Sequence, residues 1–174
     1  MIQLSTAAIG RLRDRLQEEG APPSAMLSGP EAMTRSEHPL AGDADAIALF
    51  DATFEAMYVM LAVDGAIGQD ERDVLRGAIR ELTAGSVRSD DIERLMGECQ
   101  IRLATEGTEH RLRELAAVLK KERMVAEAAF VLAAAMAFAD RRIADEENET
   151  LDTLAELLGI DDAQANELLD QLEA

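Results

Sequence analysis

The stretch MYVMLAVDGAIGQDERDVL, residues 57–75, joins an apolar segment to an amphipathic one through a tight acidic bend. A second copy of this pattern lies 76 residues further along the chain. The matching pairs are Asp64 and Asp140, Ile67 and Ile143, Asp70 and Glu146, Glu71 and Glu147, Leu75 and Leu151, and Leu82 and Leu158. Self-similarity at a fixed spacing is the signature of a repeated structural unit. The sequence therefore predicts two helix–bend–helix units.

Helical periodicity continues from residue 44 to the C-terminus, and no stretch alternates as a strand would. Capping and breaking residues divide this region into seven predicted helices. They cover residues 44–63, 69–82, 90–105, 109–121, 124–139, 145–158 and 161–174. The first and the fifth are apolar on nearly every side, which is typical of helices buried by their neighbours. We therefore expect an all-α fold: a compact bundle of about seven helices, built from two pseudo-twofold-related repeats whose apolar helices pack together at the centre.

Residues 1–43 differ from this helical domain, which spans residues 44–174. An amphipathic helix is predicted over residues 5–18, with Ile9, Leu12 and Leu16 along one stripe. All four prolines of the chain then fall within residues 20–43, which indicates an irregular linker.

The chain is strongly acidic: 35 Asp and Glu face 17 Lys and Arg, for a formal net charge of −18. Binding to nucleic acid depends on neutralising phosphates, so this charge argues against it. A protein partner with a basic surface, or a cation, is the expected ligand. The oligomeric state is not readable from the sequence.

Membrane insertion and secretion are not expected. The most apolar run, residues 124–139, is too short to span a bilayer and contains Glu127. The N-terminal residues have no apolar core of the kind that a signal peptide needs. We therefore expect a cytoplasmic protein, although association with a membrane-bound complex is compatible with the sequence.

Each bend resembles the second half of an EF-hand calcium loop, but the first half is missing. Counting back from Asp64, the first and third loop positions are Met60 and Ala62, and in the second copy they are Met136 and Phe138. An EF-hand needs side-chain oxygens at those positions. A conventional calcium loop is therefore excluded.

Two interpretations of the bends remain open. In the structural one, Gly65 supplies a positive φ and acidic residues favour the exposed amides of the following helices. In the functional one, the repeat brings carboxylates from both copies together. A weakly bound divalent cation, calcium or magnesium, would then lie between Asp64, Glu71, Asp140 and Glu147. A basic partner would instead contact an acidic surface formed by Asp64, Asp70, Glu71, Asp140, Glu146 and Glu147.

Other chemistry-bearing residues give no catalytic pattern. Cys99, the only cysteine, lies among apolar residues and is expected to pack in the core. Arg72, Arg76 and Arg80 share one helix face, and we expect them to be solvated or paired with acids. Asp51 and Glu127 occupy equivalent positions in the two apolar helices, where they either face solvent or form a buried like-charge pair. No phosphate loop, nucleophile elbow or histidine–carboxylate motif is present, and we predict a non-enzymatic protein with no cofactor beyond a possible weakly bound cation.

The helical domain resembles the TerB-like family, which includes tellurite-resistance proteins and the N-terminal region of certain DnaJ-type co-chaperones. The resemblance lies in residues 57–75 and in AMAFADRRIADEENETLDTLAELLGIDDAQANELL, residues 135–169. It covers about residues 44–174, and it departs from the family pattern at Arg141, where the first copy has a glycine. The resemblance implies an all-helical acidic domain that acts in tellurite, chemical or envelope stress without an established enzymatic activity. We accordingly expect an acidic interaction module, with a shared divalent-cation site as the alternative.

Overall fold

The computed structural model describes residues 44–63, 65, 67–82, 87–137 and 145–173. Seven α-helices and no strands occur in these residues. The helices are α1 (Ala44–Ala62), α2 (Gln69–Leu82), α3 (Ser89–Glu106), α4 (Thr108–Leu119), α5 (Arg123–Ala137), α6 (Asp145–Leu158) and α7 (Asp162–Glu173). The predicted all-α class is confirmed. The helix predicted over residues 5–18 and the linker after it lie outside the described residues.

The two apolar helices, α1 and α5, pack against each other more extensively than any other pair in the described chain. From Val125 to Ala137, every residue of α5 except Glu127 is buried. The small side chains of α5 allow α1 to approach closely and to place Phe50, Phe54 and Met57 in the shared interior. Full burial of such a side chain stabilises the fold by roughly 1.5–3 kcal/mol. The predicted central pairing is confirmed.

The helix boundaries follow the sequence repeat. Moved back by 76 residues, the bounds of α6 fall on those of α2, and both helices have 14 residues. Each also contacts the apolar helix of the other copy, because α2 touches α5 and α6 touches α1. The pseudo-twofold axis itself stays a prediction.

The remaining helices cover this centre. The α3 and α4 helices form the connection between the copies, and α4 packs on α1 and α6. The fourth predicted helix ends at Leu119, two residues early, because Lys120 to Glu122 form a turn before α5. The last helix, α7, packs on α5. None of the described helices is long and apolar enough to cross a lipid bilayer.

Candidate functional site

The first bend forms the start of α2 through local hydrogen bonds. Gly65 has a φ of 135°, in the region that favours glycine, as the sequence predicts. The backbone N–H of Gly68, the residue before α2, donates to Oε2 of Glu71 at 2.6 Å. A glutamate at the third helical position that accepts from the cap residue is half of a capping box. Glu71 therefore has a structural role at this helix start.

The remaining acidic residues of the two bends do not form one described surface. Asp70 and Glu146 are exposed at the first turns of α2 and α6. Glu147, the repeat counterpart of Glu71, is only 3% exposed and offers little surface to a partner. Asp64, Asp140 and Arg141 lie outside the described residues, so the convergence of four carboxylates stays a prediction. Within the part of the chain that is described, no group of three or more His, Cys, Asp or Glu side chains could hold a metal ion.

A buried ion pair joins α1 to α4, and the sequence analysis did not identify it. The Glu55 side chain is 4% exposed and accepts two hydrogen bonds from Arg111, from Nε at 2.6 Å and from Nη2 at 2.8 Å. Hydrogen bonding to Glu55 raises the pKa of the Arg111 guanidinium above its ordinary value. Arg111 also donates to Glu106 at 2.8 Å, and the pKa of the Glu106 carboxyl is lowered chiefly by that bond. The sequence did contain a signal for this pair, because Glu55 lies within a mainly apolar helix and a buried charge requires a partner.

Cys99 lies beside this ion pair. It is 1% exposed, so its predicted packing role is confirmed. Burial raises the pKa of the thiol to about 12, and the charge of Glu55 adds to the effect. The thiol is therefore protonated at neutral pH, and a protonated thiol is a poor nucleophile. Arg102 donates to Sγ of Cys99 at 3.4 Å, and its Nε lies 3.7 Å from Glu55 Oε2.

The arginine stripe of α2 is largely paired with acids, as predicted. Arg72 donates to Glu93 of α3 at 3.1 Å. Arg76 bonds both to Glu93 and to Asp73, the latter at 2.6 Å. Arg80 is exposed. The pairs with Glu93 join α2 to α3, and each of these partly exposed pairs stabilises the fold by at most about 1 kcal/mol.

Asp51 and Glu127 are both half-buried and line different pockets. Glu127 accepts from Nε of Arg123 at 3.0 Å and also bonds to Gln164 of α7. The two acids do not line a common cavity, so no shared pocket supports the buried like-charge alternative.

The link between α6 and α7 has a well-defined geometry. Gly159 has a φ of 74°, and its N–H donates to the carbonyl of Glu156 at 3.1 Å. The N–H of Ile160 donates to the carbonyl of Ala155 at 2.9 Å, which completes a Schellman motif. Asp161 then caps α7, because its Oδ1 accepts from the N–H of Gln164 at 2.8 Å. Three residues therefore end one helix and begin the next.

Despite this short link, α6 and α7 make little contact with each other, and each packs on α5 instead. The separation leaves a groove of about 750 Å³ between them. Its apolar floor consists of Phe130, Leu151, Ala155, Ile160, Ala165 and Leu169. Its acidic rim consists of Asp152, Glu156, Asp161 and Asp162, all of them exposed.

The two helices that form the walls of this groove carry one sign of charge. Residues 145–173, named here the acidic hairpin, contain eleven Asp and Glu and no Lys, Arg or His. The sequence analysis used the net charge of the whole chain and missed this segregation, although a count by segment would have found it. Comparison of the chain with models of protein families, with curated proteins and with solved structures finds no match.

Proposed function

We propose that this protein is a non-catalytic interaction module that binds a protein partner with a basic surface. The observation that carries the proposal is the acidic hairpin, in which acids such as Asp152, Glu156 and Asp162 are exposed and no basic residue occurs in the sequence. A surface with one sign of charge attracts an oppositely charged partner and rejects a like-charged one. The partly exposed Ala165 and Leu169 in the groove add apolar contact area of the kind that such interfaces have at their centre.

The resemblance to TerB-like proteins supplies the proposed setting. The partner would act in the response to tellurite or another chemical or envelope stress, within a cytoplasmic or membrane-associated complex. In this proposal the carboxylates of the acidic hairpin bind the partner directly, without a metal ion. The shared cation site at the two bends stays the alternative.

Affinity purification from the native host tests the proposal when matched variants are compared. The rim variant carries Asp152→Asn, Glu156→Gln and Asp162→Asn, and leaves the cap residue Asp161 unchanged. The control variant carries Asp90→Asn, Glu98→Gln and Glu122→Gln, which remove the same charge from exposed positions on other elements. We expect the control to retain the wild-type partners and the rim variant to lose them.

A third variant separates the acidic hairpin from the bends. Asp70→Asn with Glu146→Gln neutralises the exposed acids that begin α2 and α6. If only this variant lost its partners, the partner would bind at the bends and not at the acidic hairpin. Identical partner lists for all folded variants would contradict an acidic docking surface of either kind.

A further inference from the structure

The arrangement of α6 and α7 is unusual for consecutive helices joined by a short link. Such helices ordinarily pack side by side as an antiparallel pair. Here both pack on α5, and no residue of the described part of the chain fills the space where they would meet. Phe130 of α5 lies at the base of this space, so three helices enclose it.

The dimensions of the groove suit a helix. The part of α6 that lines the groove runs from Asn148 to Glu156 and is therefore about 13 Å long, equivalent to about two and a half helical turns. A helix laid over the opening of the groove would contact lining side chains of both α6 and α7. An amphipathic helix that places its apolar face in such a groove is a recurrent mode of recognition.

The charge of the rim defines the flanks of that helix. Asp152 and Glu156 are one turn apart on α6, and Asp162 is on the opposite wall. Basic side chains on either side of an apolar stripe would reach these carboxylates, whereas acidic flanks would be repelled. Charge complementarity therefore selects a basic amphipathic helix over a neutral or acidic one.

We propose that the groove between α6 and α7 binds one amphipathic α-helix of a partner protein, with an apolar stripe against Ala165 and Leu169 and with Lys or Arg on both flanks. This inference rests on the proposed function and names the form of the partner. It requires both the charge of the rim and the shape of the groove. A merely electrostatic association would require only the charge.

A peptide titration with the full-length protein separates these requirements. The probe is a 14-residue peptide of leucine and lysine with leucines at helical spacing, and the comparison peptide has the same composition in scrambled order. We expect the amphipathic peptide to bind at least about tenfold more tightly than the scrambled one. The rim variant should weaken binding by about tenfold, and the control variant by less than about twofold.

Two alanines of α7 provide a matched steric test. Ala165 lines the groove, whereas Ala163 lines a different pocket on the same helix. Ala165→Phe should abolish binding of the amphipathic peptide, and Ala163→Phe should leave it unchanged, with both variants checked for helical content and thermal stability. Should Ala165→Phe not fold, Asn166→Trp, at an exposed groove position, replaces it and should reduce binding by obstructing the groove without a change of charge.

Each remaining outcome overturns the helix-in-groove assignment in a recognisable way. Equal binding of the two peptides, with weakening only in the rim variant, would refute the helix while leaving the basic-partner function intact. Failure of both peptides to respond to the rim variant would contradict both. Tighter peptide binding by a full-length variant with Ile9, Leu12 and Leu16 changed to Asp would identify the protein's own N-terminal segment as the occupant. Rim-dependent self-association in sedimentation would identify a second copy.

Discussion

At the scale of single residues, the buried chemistry of this protein holds helices together. Glu55 lies in the most apolar helix of the first repeat and is paired bidentately with Arg111. Cys99, next to it, is kept as a neutral thiol. Both groups could be mistaken for catalytic ones, but Arg111 binds the carboxylate and burial raises the pKa of the thiol.

The Glu55–Arg111 pair should be strongly coupled in stability. Removing one partner leaves an uncompensated buried charge, and we expect Glu55→Met or Arg111→Met to lower the free energy of unfolding by about 3 kcal/mol. The double variant should recover part of this loss, because both charges of the pair are then gone while Arg102 still loses its contact with Glu55. Urea unfolding of the four proteins measures the coupling. Single effects below about 1 kcal/mol, or simple addition in the double variant, would contradict it.

Cys99 should make stability depend on pH in the alkaline range. Its pKa is about 12 in the folded protein and 9.0 in the absence of burial. Below pH 9 the thiol is protonated in both states and contributes no dependence. Above pH 9 only the unfolded chain releases the proton, so stability falls by up to about 1.4 kcal/mol per pH unit. Unfolding of wild type and Cys99→Ala between pH 8 and 10.5 tests this: the wild type should lose stability relative to the variant, and a constant difference would refute the assignment.

At the scale of elements, helix ends position the features that matter for binding. Glu71 determines the start of α2, and the Gly159–Asp161 link determines where α6 ends and α7 begins. Both features could be predicted from the sequence, because glycine commonly follows the last residue of a helix and acidic residues commonly occur in its first turn. The separation of α6 from α7 could not be predicted from the sequence, because it results from the packing of each helix on α5.

Glu71 can be tested as a cap and as a cation ligand with one pair of variants. Glu71→Ala removes the acceptor of the Gly68 N–H and should cost about 1 kcal/mol of stability, whereas Glu71→Gln retains an acceptor and should cost little. A shared cation site would give binding heat with millimolar calcium or magnesium that Glu71→Gln removes. Absence of heat in the wild type would end the cation alternative. Equal stability of all three proteins would end the capping role.

The link between α6 and α7 should contribute to stability through its backbone geometry. Gly159→Ala places a side chain at a positive φ and should cost about 1 kcal/mol. Asp161→Ala should cost a similar amount by removing the cap of α7, and Asp161→Asn should restore it. Thermal unfolding gives the comparison. An Asn variant as unstable as the Ala variant would show that the side-chain oxygen is not the capping group.

At the scale of the whole molecule, the repeat explains the fold more fully than it explains the function. The pairing of α1 with α5 and the equal lengths of α2 and α6 follow from residues such as Phe54, Phe130, Leu75 and Leu151, whose spacing is legible in the sequence. The candidate site is less legible. The bends are marked in the sequence by Asp64 and Asp140, whereas the groove arises from the packing of α6 and α7 on α5. The overall charge of −18 was informative only once its distribution along the chain was considered.

The most direct test of the proposed binding surface is a nuclear magnetic resonance titration of the ¹⁵N-labelled full-length protein with the amphipathic leucine–lysine peptide. We expect the amide shift changes to concentrate on α6, on α7 and on α5 around Phe130, with little change in α3 or at Gly65–Gly68. Changes centred on α3, on α4 or on the first bend would contradict the assignment of the acidic hairpin as the docking surface.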